Sequence, residues 1–385
     1  MIKGGDLVTS LSSNDVVRSN DINHVSSYKT QGMRPYQEDE MLIQGPNSHD
    51  ANSSYFLGVF DGHGGHAVSR YLKQNLFAAY LLCRRRSRES SALLLKKVDG
   101  NSKNMQGSEE LGNYFTPSID EPGASVENLQ NGNNFFDDDG LVRISINALQ
   151  MAFEKVDQEV QRVSHWSFQG STAVVVLLLK LQNQRIIVSA NVGDSRAVVC
   201  QRYCPSKLNE GCNTVITAVD LTVDHKPNVL SERIRIEKLG GCITKPTSSG
   251  GVHRINGNLA VSRAIGDRSE KPWVSSQVDI KIHATSISTD VIDEFIIMAS
   301  DGLWDVMSSA EAVSLCREYV ERRHYKIGQY VDRKDMHDQL YWKDIYDEVP
   351  KYLTSEAIRR GSSDNISVII TWLRRDVGID NGEDL

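Results

Sequence analysis

Three apolar runs in this chain stop on an aspartate. FLGVF at 56–60 leads into Asp61 and the glycine-rich turn DGHGG, IIVSANV at 186–192 into Gly193-Asp194, and FIIMAS at 295–300 into Asp301-Gly302. A fourth run, ISVIITWL at 366–373, begins directly after Asp364-Asn365, and RPYQEDE sets Glu38 and Asp39 shortly after Arg34. Short apolar runs bounded by turn residues read as buried strands. A chain that repeatedly places an acid at a strand end gathers those acids at one edge of a sheet. Gathered carboxylates repel one another unless protons or cations intervene.

The surrounding chain can build the scaffold this needs. Its 385 residues, 39% hydrophobic and 24% charged, suffice for a large core in one big domain or two ordinary ones, and the spacing of the informative segments favours one. We expect an N-terminal extension over 1–27, a single domain over 28–373 and an acidic tail over 374–385. A net charge of −7 argues against a nucleic-acid partner. The longest apolar stretch, AVVVLLL at 173–179, is strand length and well short of the roughly 20 residues that span a bilayer. MIKGGDLVTS has neither a secretory core nor a glycine at position 2, so an intracellular location, cytoplasmic or nuclear, is expected. The six cysteines lack close paired spacing and read as reduced thiols.

Local patterns fill in the elements. Ile146, Leu149, Phe153, Val156, Val160 and Val163 recur every three or four residues, one helical face over 146–163. Ser308 with Glu311 predicts a capping box opening a helix through about 322. The runs 171–180, 185–192 and 195–200, joined by short polar turns, predict an antiparallel meander. HAVSRYLKQNLFAAYLL predicts a helix after DGHGG, which would then be a strand-to-helix turn. Residues 84 to about 140 are rich in Ser, Asn, Asp and Gly and read as a surface insertion; 321–350, charged but with Tyr and Trp, reads as a second, partly helical one. A β-rich centre with a few long helices predicts an α+β layered domain.

The acids define the cation. The candidate donors are Asp61, Asp301, Asp364, Asp194, Asp305, Glu38, Asp39 and the carbonyl of Gly62, all oxygen, which suits Mg²⁺ or Mn²⁺ rather than Zn²⁺. Two such ions about 3.5–4 Å apart can activate a water for in-line attack at phosphorus. Arg34 would hold phosphate oxygens bidentately and His63 would protonate the leaving oxygen. The residues therefore point to metal-assisted phosphoester hydrolysis.

Nine segments carry a family resemblance: RPYQEDE, FLGVFDGHGGHA, GSTAVVVLL, ANVGDSRAV, LTVDHKP, ERIRIEKLGG, NGNLAVSRAIGD, ASDGLWDV and GSSDNISVII. In this order, over about residues 28–373, they resemble the metal-dependent serine/threonine protein phosphatases of type 2C. The resemblance implies an α-β-β-α sandwich, two packed antiparallel sheets flanked by helices, with a metal cleft at one end. It implies that Asp61 bridges two Mg²⁺ or Mn²⁺ ions, that the Gly62 carbonyl completes one, and that Asp301 and Asp364 bind the other. Glu38 and Asp39 would act partly through metal-bound waters, His63 as general acid and Arg34 as phosphate ligand. Asp194 and Asp305 match acids of a weaker third metal, and Thr172, Ser195 and Asn365 would support the site.

The resemblance also implies phosphorylated protein substrates and a monomer, with the insertions as places for partners to dock. The segment 241–257 corresponds to the family's flap and contains no tryptophan, so a plant hormone receptor is not an expected partner. Two alternatives stand beside this reading: a catalytically inactive scaffold of the same fold, and a phosphatase of small metabolites. A third idea, cysteine chemistry, is suggested by Cys316 and Arg322 at a six-residue interval. It fails because CREYVER suits a helix rather than a phosphate-binding loop.

Overall fold

The computed structural model describes residues 22–46, 55–101, 138–181, 185–203, 214–245, 251–285, 291–328 and 339–373. The flanking extension up to residue 21, the acidic tail, Cys204, Cys212 and the middles of both insertions lie outside them. In chain order the strands are β1 Ile22–Thr30, β2 Glu40–Gln44, β3 Tyr55–Phe60, β4 Gly62–His63, β5 Gly170–Ser171, β6 Ala173–Lys180, β7 Arg185–Val192 and β8 Arg196–Tyr203. They continue as β9 Val215–Asp220, β10 Ile243–Thr244, β11 Arg254–Ile255, β12 Ile265–Gly266, β13 Asp279–Ala284, β14 Val291–Ala299 and β15 Ile366–Leu373. The helices are α1 Ala67–Asn101, α2 Asp138–Gln161, α3 Leu230–Lys238, α4 Asp301–Trp304, α5 Ser309–Gly328 and α6 Gln339–Arg359.

The chain divides into two units by its contacts: Met1–Phe77 with Phe153–Leu385, and Ala78–Ala152. The second holds the later part of α1 and the earlier part of α2, burying Tyr80, Cys83, Ala148 and Leu149. The first holds two five-stranded antiparallel sheets, ordered β1-β15-β14-β8-β9 and β13-β7-β6-β3-β2.

Strand alternation builds two cores from one sheet, because successive side chains point to opposite faces. Ala197, Val199, Ile296, Met298 and Ile369 meet Leu57, Val59, Val174, Val176 and Ile187 of the other sheet. Their neighbours Val198, Cys200, Phe295, Ile297, Val368 and Ile370 pack instead on Leu303, Val313, Cys316, Val349 and Leu353 of α4, α5 and α6. Phe56 of β3 meets Phe77 of α1 with ring centroids 5.2 Å apart, starting the helical layer on the far side. The α+β sandwich expected from the sequence is therefore the fold.

Several local expectations hold. Ser308 and Glu311 form the capping box: the Ser308 N–H donates to Glu311 Oε2 at 2.9 Å and the Glu311 N–H to Ser308 Oγ at 3.3 Å. Leu149, Phe153, Val156 and Val160 form the buried face of α2, while Ile146 and Val163 are only partly covered. Cys316 lies on a helix, as CREYVER suggested, and is buried on α5, where burial pushes its thiol well up.

Others are corrected. The meander stops at β7: β6 and β7 pair, but β8 crosses to the other sheet between β14 and β9. The crossing is made at Gly193, whose φ of 111° is open only to glycine. α1 continues through residues 84–101, into the segment read as the first surface insertion. The second insertion is partly helical, as expected: α5 runs to Gly328 and α6 starts at Gln339, with Tyr346 stacked on Trp372 of β15 at 4.1 Å.

An ion-pair cluster ties α3 to the sandwich. Glu232, its side chain 3% exposed, accepts from Arg263 at 2.6 Å and Arg235 at 2.9 Å, and Arg263 donates onward to Asp279 of β13 at 2.7 Å. Burial alone would raise both carboxyls. The hydrogen bonds and charge of Arg263, with Arg235 at Glu232 and His225 at Asp279, outweigh it and hold each at about 2. Depressed carboxyls stabilise the fold above their unfolded values of 4.5 and 3.8, and that stability is lost as pH falls from there towards 2. Glu232→Gln should cost about 3 kcal/mol at pH 7, because it leaves Arg263 and Arg235 underpaired in a buried setting. Denaturant unfolding at pH 7 and pH 3 checks this: the gap from wild type should narrow at pH 3, and an equal gap at both would refute the ionic origin.

Candidate active site

The acids come together at one end of the sandwich, drawn from both sheets rather than one. β3 ends where β2 begins, with Phe60 opposite Glu40, and β14 ends where β15 begins, with Ala299 opposite Val368. Asp61 and Asp39 thus arrive from one sheet and Asp301 and Asp364 from the other. The DGHGG turn is partly a strand: Gly62 and His63 form β4, paired with Ser171 and Gly170 of β5. Only then do Gly64 and Gly65, with φ of 67° and 132°, turn the chain into α1.

Backbone contacts lock the acid-bearing turns together. The Asp61 N–H donates to Thr172 Oγ1 at 3.2 Å, the Thr172 N–H to Asp61 O at 2.9 Å, and Thr172 Oγ1 meets Ser195 Oγ at 2.7 Å. Asn365 is a three-way staple: Oδ1 accepts from Glu38 N at 2.8 Å, while Nδ2 donates to Gln31 O and Tyr36 O. It fastens the loop bearing Arg34, Glu38 and Asp39 to the start of β15. Arg34 stays exposed and reaches Asp364 Oδ2 at 2.6 Å from 330 residues away. Thr172, Ser195 and Asn365 thus bond the acid-bearing turns to one another.

The electrostatics are those of crowded carboxylates. Burial, then the charges of Asp301, Asp39 and Asp194, pushes Asp61 well up; burial, then Asp301, does the same to Asp194. Asp301 is raised by burial and then by Asp305 and Asp364, and Asp39 by burial, with Ser300 Oγ donating to its Oδ2 at 2.9 Å in partial relief. Asp61 and Asp301 lie close enough to share a hydrogen bond. His63 is raised: burial would lower it, but Asp267 outweighs this, and Glu38 and Asp301 add to the effect.

Two neighbours were not singled out from the sequence. Lys226, in the DHKP segment, reaches Asp305 at 2.7 Å and Asp194 at 3.8 Å. Asp267 lies 2.7 Å from His63. Each stood inside a quoted segment, and Gly266-Asp267 repeats the glycine-aspartate pattern of Gly193-Asp194, a signal that could have flagged it. His225, in the same segment as Lys226, accepts from Gly193 N at 3.1 Å.

Among the described residues, no three His, Cys, Asp or Glu side chains are closed around a common point in a finished cation cage. The donor chemistry nonetheless fits a hard divalent cation. The cluster offers only oxygens, and Asp39 Oδ1 and Asp194 Oδ1 are buried without a hydrogen-bond partner. Buried carboxylate oxygens normally find a donor or a cation.

The fold and site define a class, the metal-dependent serine/threonine protein phosphatases. The family described as Protein phosphatase 2C matches residues 101–366, and this chain belongs to that family. A rice protein, probable protein phosphatase 2C 44 of Oryza sativa subsp. japonica, is 31% identical over 346 residues, 86% of this chain and 77% of the rice protein. Protein phosphatase 2C 77 of Arabidopsis thaliana is 30% identical over 87% of this chain, which spans only 63% of that longer protein. A solved serine-threonine phosphatase 2C from Toxoplasma gondii shares the fold with a TM-score of 0.62 at 18% identity, over 96% of this chain and 98% of that one. No helix among the described residues is long and apolar enough to cross a membrane.

Proposed function

We propose that this chain hydrolyses phosphoserine and phosphothreonine on proteins, using two divalent ions held by Asp61, Asp301, Asp364 and the Gly62 carbonyl, with Glu38 and Asp39 alongside. The observation that carries this is the set of carboxylates, buried and mutually repelling, at one end of the sandwich beside an exposed arginine. When bound, Mg²⁺ or Mn²⁺ would offset that repulsion and supply a nucleophilic water at neutral pH. A weaker third ion is assigned to Asp194 and Asp305, where it would compete with the Lys226 ammonium. Arg34 would grip phosphate oxygens, as a planar guanidinium does well. Asn365 and Thr172 keep the turns in register, and His63 protonates the departing serine or threonine oxygen. We further assign a monomeric, intracellular enzyme whose insertions dock partners.

The decisive experiment is hydrolysis of a phosphothreonine peptide in EDTA, Mg²⁺ and Mn²⁺, run beside nucleotides and sugar phosphates. Metal-dependent turnover of the peptide alone is expected. Turnover of metabolites alone would make this a metabolite phosphatase, and no turnover by folded protein would make it a scaffold. The role of His63 has its own signature. His63→Ala should lower kcat about 100-fold for a phosphothreonine peptide, whose alkoxide needs a proton, and only severalfold for an activated aryl phosphate. Equal losses on both would remove the general-acid role.

A further inference from the structure

The small sheet that carries His63 also delivers it a partner. β5 lies between β4 and β12, so Gly170 pairs with His63 on one side and with Gly266 on the other. Asp267 follows directly, its backbone in the left-handed region at φ 48°, where aspartate is among the few tolerated side chains. The turn is pinned from both sides: the Asp267 N–H donates to Gln169 O at 3.0 Å, and the Gly266 N–H to Asp157 Oδ1 at 2.8 Å. The Asp267 carboxylate, 2% exposed, then lies with Oδ2 2.7 Å from His63 Nε2.

Gly170 shows how closely the pair is fitted. A Cβ there would lie 2.2 Å from Asp267 Oδ2 and 2.5 Å from His63 Nε2, so bare backbone closes over the hydrogen bond. An ionised carboxylate only accepts, so Nε2 must be the nitrogen bearing the proton in this bond. Among the described residues, the ring's other nitrogen, Nδ1, makes no hydrogen bond to protein.

We propose that Asp267 is a positioning residue that holds the His63 ring through Nε2–H, so that the proton given to the leaving group comes from Nδ1. The proposal rests on the reading of His63 as general acid. As water adds to phosphorus and the P–O bond to serine or threonine breaks, the bond's electron pair goes to the leaving oxygen, which takes the Nδ1 proton. His63 is left neutral with its Nε2–H still held by Asp267, and solvent restores the Nδ1 proton for the next turnover. The carboxylate fixes the ring's orientation and, in the neutral ring, keeps the proton on Nε2 rather than Nδ1.

The test uses the full chain with Mn²⁺ and four proteins: wild type, His63→Ala, Asp267→Asn and the double variant. Asp267→Asn should lower kcat on a phosphothreonine peptide about 10- to 100-fold with KM within about twofold, and lower kcat on p-nitrophenyl phosphate less than about threefold. The double variant should match His63→Ala alone, since Asp267 acts through the ring. Equal losses on both substrates, or losses that add in the double variant, would overturn the proposal. If His63→Ala selects by leaving group while Asp267→Asn does not, only the positioning role falls; if His63→Ala shows no selection, the general-acid reading falls first. Should Asp267→Asn fail to fold, nitrogen NMR of the His63 ring in Mg²⁺-loaded wild type decides at a pH where the ring is neutral. A protonated Nε2 is expected, and a bare Nε2 would overturn the assignment.

Discussion

Asp61→Asn should lower kcat on a phosphothreonine peptide by about 10³-fold or more while, in EDTA, raising the melting temperature by a few degrees. The two effects share one cause. Asp61 is buried among Asp301, Asp39 and Asp194, whose charges all act against its ionised form. With metal chelated, an amide of the same size removes that repulsion and keeps the shape. The Asp61 backbone bonds to Thr172 do not involve the side chain, so the turn is preserved. With metal present, the same change would remove a carboxylate oxygen proposed to hold the ions. Turnover close to wild type, or a lower melting temperature in EDTA, would each contradict the assignment.

Gly302→Ala should be a severely damaging small change at this end of the sandwich. A Cβ on Gly302 would stand 2.1 Å from the Asn365 carbonyl oxygen and 3.1 Å from its carbon, both main-chain atoms. Neither can swing aside as a side chain can, so the turn bearing Asp301 and the turn bearing Asp364 must separate. The bond from Ser362 Oγ to Gly302 O, 2.7 Å long, would be strained by the same shift. Overpacking of this kind costs about 3 kcal/mol. Mn²⁺ affinity should also fall about tenfold or more, as when groups supporting metal ligands are disturbed. Thermal unfolding with calorimetric Mn²⁺ titration measures both, and an alanine accepted at unchanged stability and affinity would show that the turns are not wedged together.

What the sequence disclosed follows from which interactions are local. The aspartates at strand ends were legible because an apolar run and its terminal acid are neighbours in the chain, as at FLGVFDG and FIIMASDG. The capping box was legible for the same reason, four residues being enough to define it. The crossing of β8 to the other sheet was not, since a two-residue GD link is equally good chemistry for a hairpin. Only the pairing of β8 with β14, some 90 residues later, decides it. Asp267 and Lys226 escaped for a related reason: their partners, His63 and Asp305, lie far off in sequence, and neither residue type declares a partner. The length of α1 was hidden by RRRSRESS, whose polar residues suit a solvated helix as well as a loop.

The position of β15 has a consequence for how the molecule comes into being on the ribosome. It is not an edge strand: β1 flanks it on one side and β14 on the other, and every one of its eight residues is buried. A chain still in synthesis through β14 therefore carries an open, apolar seam along β14, with Phe295, Ile297 and Ala299 lacking the strand that pairs them and β1 lacking the strand it pairs with. Until residue 373 has emerged, that seam is a template for any passing extended segment, and Arg34 has no Asp364 to meet. The nascent protein is thus sticky, and a single late strand at once closes the seam and brings Asp364 to Arg34.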